Sequence, residues 1–360
     1  MVVVPVILAG GIGERFWPLS RSSMPKQLLR LISSKTMLEE TISRVDTFCT
    51  KGVKPLIITG KTIAGKFKTV LPQKLKYDLI IEPVGKNTAP AVALAASYVQ
   101  KKYGDAVMVV LSADHDIRPK KAFVDAIKYA VKIAQQRNEL VVFGIKPTRA
   151  ETGYGYIQLG KKIDASDSTY SYSVKRFIEK PNQEKAKRFL NSDKHMWNSG
   201  MFIWKTSVIL EEFAQYMPDL FKQVQKLSSD GFTKNNIDSF YAQCQKESID
   251  FGIMEHSQRV SAVIGDFKWD DIGSWESVKR IHGQNDSQTT VVGTKVYEKE
   301  SCGSTIVNKS SLAIASIGLK DVVIVATDDA ILAIDRAKLS DFKKYLNEMK
   351  SVGNLPANLF

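Results

Sequence analysis

The chain is poor in cysteine: Cys49, Cys244 and Cys302 are the only three in 360 residues. They are far apart and odd in number, which excludes a disulfide framework and a CxxC zinc pattern. Three reduced thiols suit the cytoplasm, and that is the expected compartment. Long hydrophobic runs are also missing. The longest, such as Val2–Ala9, reach about eight residues where a membrane helix needs about 20. No basic segment precedes Val2–Ala9 and no small-residue cleavage site follows it, so no signal peptide is expected. The formal net charge is +13, yet the cations are not gathered into a tract, and no zinc-finger or RNP pattern occurs. Nucleic acid is therefore not the expected partner. The excess suits a soluble surface with a few cations aimed at small anionic substrates. Internal repeats and low-complexity segments are absent.

What remains is an ordinary globular composition, 44% hydrophobic and 25% charged. At 360 residues, one large domain with a smaller one is the natural arrangement. Val2–Ala9, Pro55–Thr59, Leu79–Ile81, Ala106–Leu111 and Leu140–Phe143 read as strands apolar on both faces, as buried parallel strands are. Amphipathic segments Met37–Phe48, Ala89–Lys102 and Ala122–Gln135 alternate with them. This alternation predicts an α/β fold with a doubly wound, mixed but mainly parallel sheet. In such sheets ligands bind outside the carboxyl ends of the strands, so the chemistry is sought in the loops that follow them. Near Gln284–Ser287 the texture turns polar. Short β-like pieces then run over Val291–Ala333, and an amphipathic helix covers Leu339–Lys350. We expect a domain boundary near residue 285, dividing 1–285 from 286–360.

The strongest motif follows the first strand: Leu8-Ala-Gly-Gly-Ile-Gly-Glu-Arg-Phe-Trp-Pro-Leu-Ser-Arg21, then Pro25-Lys-Gln27. Gly10, Gly11 and Gly13 let the backbone turn tightly and meet a ligand without a Cβ in the way. Exposed N–H groups then form an anion-binding concavity. Arg15 adds a cationic fork and Lys26 a point charge, a combination suited to polyphosphate. Two rival phosphate motifs fail. Gly11-Ile-Gly13-Glu-Arg-Phe16 lacks the third glycine of a dinucleotide fingerprint. Gly60-Lys-Thr-Ile-Ala-Gly65-Lys66 resembles a P-loop, but Phe67 stands where a hydroxyl must reach the metal. Gly60–Lys66 is read as a surface loop.

The long N-terminal motif resembles the signature of the GDP-mannose pyrophosphorylases, or mannose-1-phosphate guanylyltransferases. Six further segments match in order: Glu82-Pro-Val-Gly-Lys-Asn-Thr-Ala-Pro90, Ala113-Asp-His-Asp116, Thr152-Gly-Tyr-Gly-Tyr-Ile157, Phe177-Ile-Glu-Lys-Pro181, Trp197-Asn-Ser-Gly-Met-Phe202 and Trp269-Asp-Asp-Ile-Gly-Ser-Trp275. The resemblance covers about residues 1–335. It implies a Rossmann-like nucleotidyltransferase fold with a small C-terminal β-helix-like domain, GTP and mannose 1-phosphate as substrates, Mg²⁺ as cofactor, and a homodimer. Gly10, Gly11, Gly13, Glu14, Glu82, Pro83, Asn87 and Thr88 are then expected at the nucleotide, and Gly153, Glu179, Lys180, Asn198 and Ser199 at the sugar phosphate. Arg15, Lys26 and Asp114 are the expected catalytic residues.

Asp114 and Asp270 are the expected metal pair, with the choice between Asp270 and Asp271 open. Lys86 stands where the family usually has Arg, and no contact is assigned to it. His115 is read as structural, because an already ionised phosphate oxygen needs no general base. Asp328 and Asp329 are read as turn aspartates. The five tryptophans, all in or beside the motifs, are read mostly as packing. Bifunctional relatives carry a further isomerase domain, and that activity is not expected here. The expected reaction is in-line attack of the sugar phosphate on the GTP α-phosphorus, driven by charge neutralisation and positioning. Alternatives are UTP or dTTP with glucose 1-phosphate, a non-catalytic nucleotide-sugar sensor, and, on charge alone, nucleic-acid binding.

Overall fold

The computed structural model describes every residue except Ile12, Asp167 and Ser168. The first half runs β1 (Val3–Ala9), α1 (Met37–Val45), β2 (Leu56–Gly60), α2 (Lys61–Val70), β3 (Asp78–Glu82), α3 (Thr88–Tyr103), β4 (Val107–Ser112), β5 (Asp116–Arg118), α4 (Lys120–Arg137) and β6 (Leu140–Ile145). Then follow β7 (Tyr156–Ser166), β8 (Thr169–Ile178), α5 (Gln183–Leu190), β9 (His195–Lys205), α6 (Thr206–Tyr216), α7 (Pro218–Asp230), α8 (Lys234–Gln243), β10 (Val260–Ile264), β11 (Lys268–Asp270) and α9 (Trp275–His282).

The main sheet has the order β3-β2-β1-β4-β9-β6-β10-β8-β7. Only β8 and β9 run against the other seven strands. It is the mixed, mainly parallel sheet that the apolar runs imply. The central strands are mostly buried, with helices on both faces: α3 and α6 to α8 join one apolar cluster, and α1, α2 and α4 the other. Each buried large apolar side chain contributes about 1.5–3 kcal/mol, so these two layers dominate the stability.

One expectation fails locally. Gly60–Lys66 is not a loop, because Lys61–Val70 forms α2. Ile63 and Phe67, four residues apart, are buried on one face of it, and that apolar pairing outweighs the glycine at 65.

After α9 come β12 (Thr290–Val292), β13 (Val296–Lys299), β14 (Thr305–Asn308), β15 (Ile314–Ile317), β16 (Val322–Ala326), β17 (Ile331–Asp335) and α10 (Phe342–Val352). Residue 285 falls between α9 and β12. The strands form a four-stranded sheet, β12-β14-β16-β17, and a β13-β15 pair, with parallel pairing between successive coils. That is compatible with a β-helix-like unit.

This unit is bound to the start of the chain. Phe16, Trp17, Leu29 and Leu31 share one apolar cluster with Trp275, Val307, Val325, Phe342 and Leu346. Trp17 Nε1 donates to the Leu359 carbonyl at 2.7 Å, and Arg21 grips Asp329 with both terminal nitrogens at 2.5 Å. Asp328 accepts from the Ser311 backbone N–H, so both aspartates serve as structural anchors. All five tryptophans are buried. No helix among the described residues is long and apolar enough to cross a membrane.

Candidate active site

The glycine loop leaves the carboxyl end of β1. Gly11 and Gly13 have φ of 82° and 70°, the left-handed region that suits glycine. Gly13 is also sterically required, since a Cβ there would lie 2.3 Å from Lys26 Cβ. The Gln27 amide donates to the Gly10 carbonyl and, at 3.1 Å, to the Gly11 carbonyl, holding the loop open. The loop is one wall of a cavity of about 620 Å³, shared with Glu14, Arg15, Lys26, Asp114, His115, Asp271, Gly273 and Lys343. That volume suits a nucleotide-sized ligand.

Lys26 is the centre of this cavity. Its side chain is almost fully buried, and Nζ lies 2.8 Å from Asp114 Oδ2 and 2.8 Å from the Asp271 carbonyl. One ammonium thus ties the loop after β4 to the turn after β11. Burial pushes the Asp114 carboxyl upward, but the Lys26 ammonium and the Ser112 hydroxyl outweigh it and hold the pKa well below the usual carboxylate range. Asp114 is therefore ionised at neutral pH. His115 is buried, and burial lowers its pKa. Its Nδ1 lies 3.1 Å from Trp269 Nε1, which can only donate, so the imidazole is neutral and accepts there. Arg15 is exposed; among the described residues its one hydrogen bond is a 3.4 Å contact to the Gly273 carbonyl, and it keeps donors for an anion. Glu14 is engaged with Lys350 at 2.8 Å.

The two adjacent aspartates separate. Asp270 is the last residue of β11, opposite Asp116 of β5, and it is buried. Its Oδ2 receives Arg280 Nε at 2.6 Å and its Oδ1 the Ile272 N–H at 2.8 Å. Asp270 lines a different cavity, with Trp269 and Arg280. Of the two aspartates it is Asp271, not the expected Asp270, that shares a cavity with Asp114. The residue on the glycine-loop cavity is Asp271, whose Oδ1 accepts from Tyr154 Oη at 2.5 Å and whose Oδ2 lies over Gly273. Burial and the nearby carboxylate keep the Tyr154 phenol protonated.

On the other side of the glycine loop, a smaller cavity of about 250 Å³ joins Gly10, Gly11, Gly60, Ile63, Glu82 and Pro83. Glu82 is buried, and burial raises its pKa even though Tyr241 donates to Oε1 at 2.7 Å. Oε2 faces Gly10. Asn87 caps α3 by accepting from the Thr88 N–H, at φ 68°. The Thr88 hydroxyl accepts from the Ile249 N–H, and Lys86 donates to the Cys244 carbonyl. Thr88 and Lys86 are thus tied to the chain around Cys244–Ile249, while Asn87 is exposed.

Of the residues expected at the sugar phosphate, Glu179 and Asn198 meet at Gly155. Asn198 N–H donates to the Gly155 carbonyl at 2.8 Å, and Glu179 Oε2 packs where a Cβ on Gly155 would clash, at 2.6 Å. Glu179 and Lys180 form an exposed 3.0 Å pair, with Lys180 at φ 42°. Gly153 N–H donates to Glu151. Ser199 differs from expectation. Its neighbours Asn198 and Gly200 are partly open, but strand alternation turns Ser199 inward, where its hydroxyl accepts from the Met201 N–H.

A family model described as "Nucleotidyl transferase" matches residues 4–288. A mannose-1-phosphate guanylyltransferase of Escherichia coli is 37% identical over 98% of this chain and 76% of its own length. One from Salmonella muenchen is 38% identical over 97% of this chain and 74% of its own. A crystal structure described as mannose-1-phosphate geranyltransferase from Thermus thermophilus superposes with a TM-score of 0.87 at 28% identity, covering 97% of this chain and all of the other. The chain belongs to the mannose-1-phosphate guanylyltransferase family of nucleotidyl transferases.

Two residues of this family member stand out although no motif marks them. Asp250, in a π-helical turn over Asp250–Met254, accepts from Asn198 Nδ2 at 2.6 Å. Burial pushes its pKa up to about 6, with Glu179 adding to the shift. Its only sequence signal was an acid in an otherwise apolar stretch. Arg280, on α9, pairs with Asp270 at 2.6 Å, and both line the same cavity.

Proposed function

We propose that this chain transfers the guanylyl group of GTP to α-D-mannose 1-phosphate, giving GDP-mannose and pyrophosphate. The observation that carries the reading is the Lys26 ammonium held between the Asp114 carboxylate and the Asp271 carbonyl beneath the glycine loop. This is a preorganised charge cluster of the kind phosphoryl chemistry needs. The catalytic unit is taken as residues 1–285, with 286–360 as a β-helix-like unit bound to it.

In this reading the backbone of Gly10, Gly11 and Gly13 cradles the phosphates while Arg15 and Lys26 neutralise them. Glu14, tied to Lys350, supports the loop rather than the ligand. Glu82, with one oxygen on Tyr241 and the other toward Gly10, reads guanine by accepting from its ring N–H and exocyclic amine, and Pro83 shares that cavity. Asn87 and Thr88 fix the start of α3 beside it. Glu179, Asn198 and Asp250 orient mannose hydroxyls, with Gly153 in the adjoining turn, and Lys180 meets the sugar phosphate. Neutral His115 takes no proton. The attacking phosphate has a second pKa near 6 and is already ionised, so no general base is required.

Asp114 and Asp271 suit a bound Mg²⁺. Both offer oxygen, Asp114 is held ionised, and this metal binds through one or two carboxylates plus substrate phosphates rather than a full protein cage. When bound, Mg²⁺ supplies charge stabilisation at the phosphoryl oxygens.

Three unpaired thiols fit a cytoplasmic setting. The family resemblance supports a homodimer, which sizing in solution tests. The decisive experiment is a grid of GTP, ATP, UTP, CTP and dTTP against mannose and glucose 1-phosphates with Mg²⁺, reading pyrophosphate. The expected outcome is release with GTP and mannose 1-phosphate above every other pair. Silence across the grid ends the enzyme reading, and preference for UTP or dTTP with glucose 1-phosphate ends the substrate assignment.

A further inference from the structure

The phosphate cavity has one wall from outside the catalytic unit. Helix α10 buries Phe342 and Leu346 in the cluster that holds Phe16, Trp17 and Trp275. This fixes the helix across the Glu14–Phe16 turn. Lys343 and Lys350 are seven residues apart, two helical turns, and so share a face. Lys350 is spent on Glu14 at 2.8 Å. Lys343 lines the cavity beside the glycine loop and Arg15. Among the described residues it has no carboxylate within ion-pair distance, whereas Lys26 is already matched by Asp114.

We infer that Lys343 is a nucleotide-binding residue, contributed by the C-terminal unit, that contacts the terminal phosphates of the bound nucleoside triphosphate. The inference rests on the proposed GTP-dependent reading. Lys343 shares the cavity with the glycine loop, whereas the sugar-side group of Glu179, Asn198 and Asp250 does not line it. The anion within reach of the Lys343 ammonium is therefore the β,γ-diphosphate that leaves as pyrophosphate. An exposed lysine on a flexible stem supplies a point charge without fork geometry. It therefore strengthens binding of the triphosphate and of released pyrophosphate alike and leaves the chemical step largely unaltered. The C-terminal unit becomes part of the substrate site as well as a scaffold.

The test compares Lys343→Ala with Lys344→Ala in the full chain. Lys344 is the adjacent exposed residue and does not line the cavity, so its loss removes the same charge from the same helix. Lys343→Ala is expected to raise KM for GTP and the inhibition constant of pyrophosphate about tenfold, with kcat within about twofold, the signature of lost uniform binding. Direct titration without sugar phosphate should show GTP weakened and GMP unchanged, because GMP has no terminal phosphates to lose. Lys343→Arg should restore most of the GTP affinity. Three results overturn the inference: equal weakening of GTP and GMP, the same effect from Lys344→Ala, or wild-type constants in Lys343→Ala. A wild-type protein that neither binds GTP nor releases pyrophosphate removes the underlying reading instead, so the two failures are distinguishable.

Discussion

Asp270→Asn and Asp271→Asn each remove one negative charge, at neighbouring positions, and the geometry predicts opposite consequences. Asp270 holds Arg280 at 2.6 Å and caps the Ile272 N–H. An asparagine at this site can still accept from Ile272, but it leaves a partly buried guanidinium without its counter-charge. A hydrogen bond to a charged group is worth about 1.5–3 kcal/mol, and Arg280 is 34% exposed, so the expected loss is about 1–2 kcal/mol. The melting temperature should fall by a few degrees, and kcat by less than about tenfold, because Asp270 acts only through the turn that it braces. Asp271→Asn keeps an acceptor for the Tyr154 hydroxyl, so the melting temperature should hold. It removes a carboxylate from the phosphate cavity, and loss of one preorganised electrostatic group there costs about 10²–10³ in kcat, or about 3–4 kcal/mol of barrier. The Mg²⁺ concentration at half-maximal rate should rise as well. The assays are pyrophosphate release at saturating substrates across a Mg²⁺ titration, and thermal denaturation of the same preparations. If Asp270→Asn lost 100-fold in kcat at an unchanged melting temperature while Asp271→Asn stayed within about threefold of wild type, the assignment of the two roles would be reversed.

Three further outcomes follow from the same geometry. Lys26→Ala and Asp114→Ala should each lower kcat at least ~100-fold; near-wild-type turnover in both removes the charge cluster from the mechanism. Gly13→Ala combines a left-handed backbone with a Cβ 2.3 Å from that of Lys26, so it should cost at least about 1–2 kcal/mol and lower kcat by displacing Lys26; thermal melts and initial rates check both. Asp250 carries a pKa of about 6 against the usual 3.8. The folded state therefore binds a proton that the unfolded state has released, and stability falls as pH rises through about 4 to 6. Asp250→Asn should remove that slope and gain about 1–3 kcal/mol at pH 7, measured by urea unfolding from pH 4 to 8. An identical slope in wild type and variant contradicts this account of Asp250.

Much of the fold was legible because a strand buried on both faces leaves a plain mark. Val2–Ala9, Pro55–Thr59, Leu79–Ile81, Ala106–Leu111 and Leu140–Phe143 correspond to β1 to β4 and β6, and the three amphipathic segments between them to α1, α3 and α4. Alternation then points to the carboxyl edge, where the glycine loop lies. Gly60–Lys66 was misread although its signal was present: Ile63 and Phe67 at a spacing of four outweigh the glycines that suggested a loop. The aspartate pair was a harder case. In a strand, one residue's displacement moves a side chain to the opposite face, and nothing within Trp269-Asp-Asp-Ile272 says where β11 stops. That is decided by its pairing with β5 and by Arg280, which lies ten residues further on. Ser199 follows the same rule, since alternation along β9 separates it from Asn198, but only once the register against β6 and β7 is known.

The remaining features depend on closure between segments that are distant in sequence, and local pattern cannot carry that information. Asp250 meets Asn198 across 52 residues, and Lys26 meets the Asp271 carbonyl across 245. Lys343 reaches the glycine loop only because Phe342 and Leu346 dock α10 on Phe16 and Trp17. A polar-face lysine on an amphipathic helix reads from sequence as solvated. The apolar face beneath it decides what the polar face confronts, and here that is the glycine loop. The charge of this site is thus set partly by hydrophobic packing between the two ends of the chain. A substitution such as Phe342→Ala, remote from any reacting atom, should therefore weaken triphosphate binding along with stability, and Lys343→Ala should weaken binding alone.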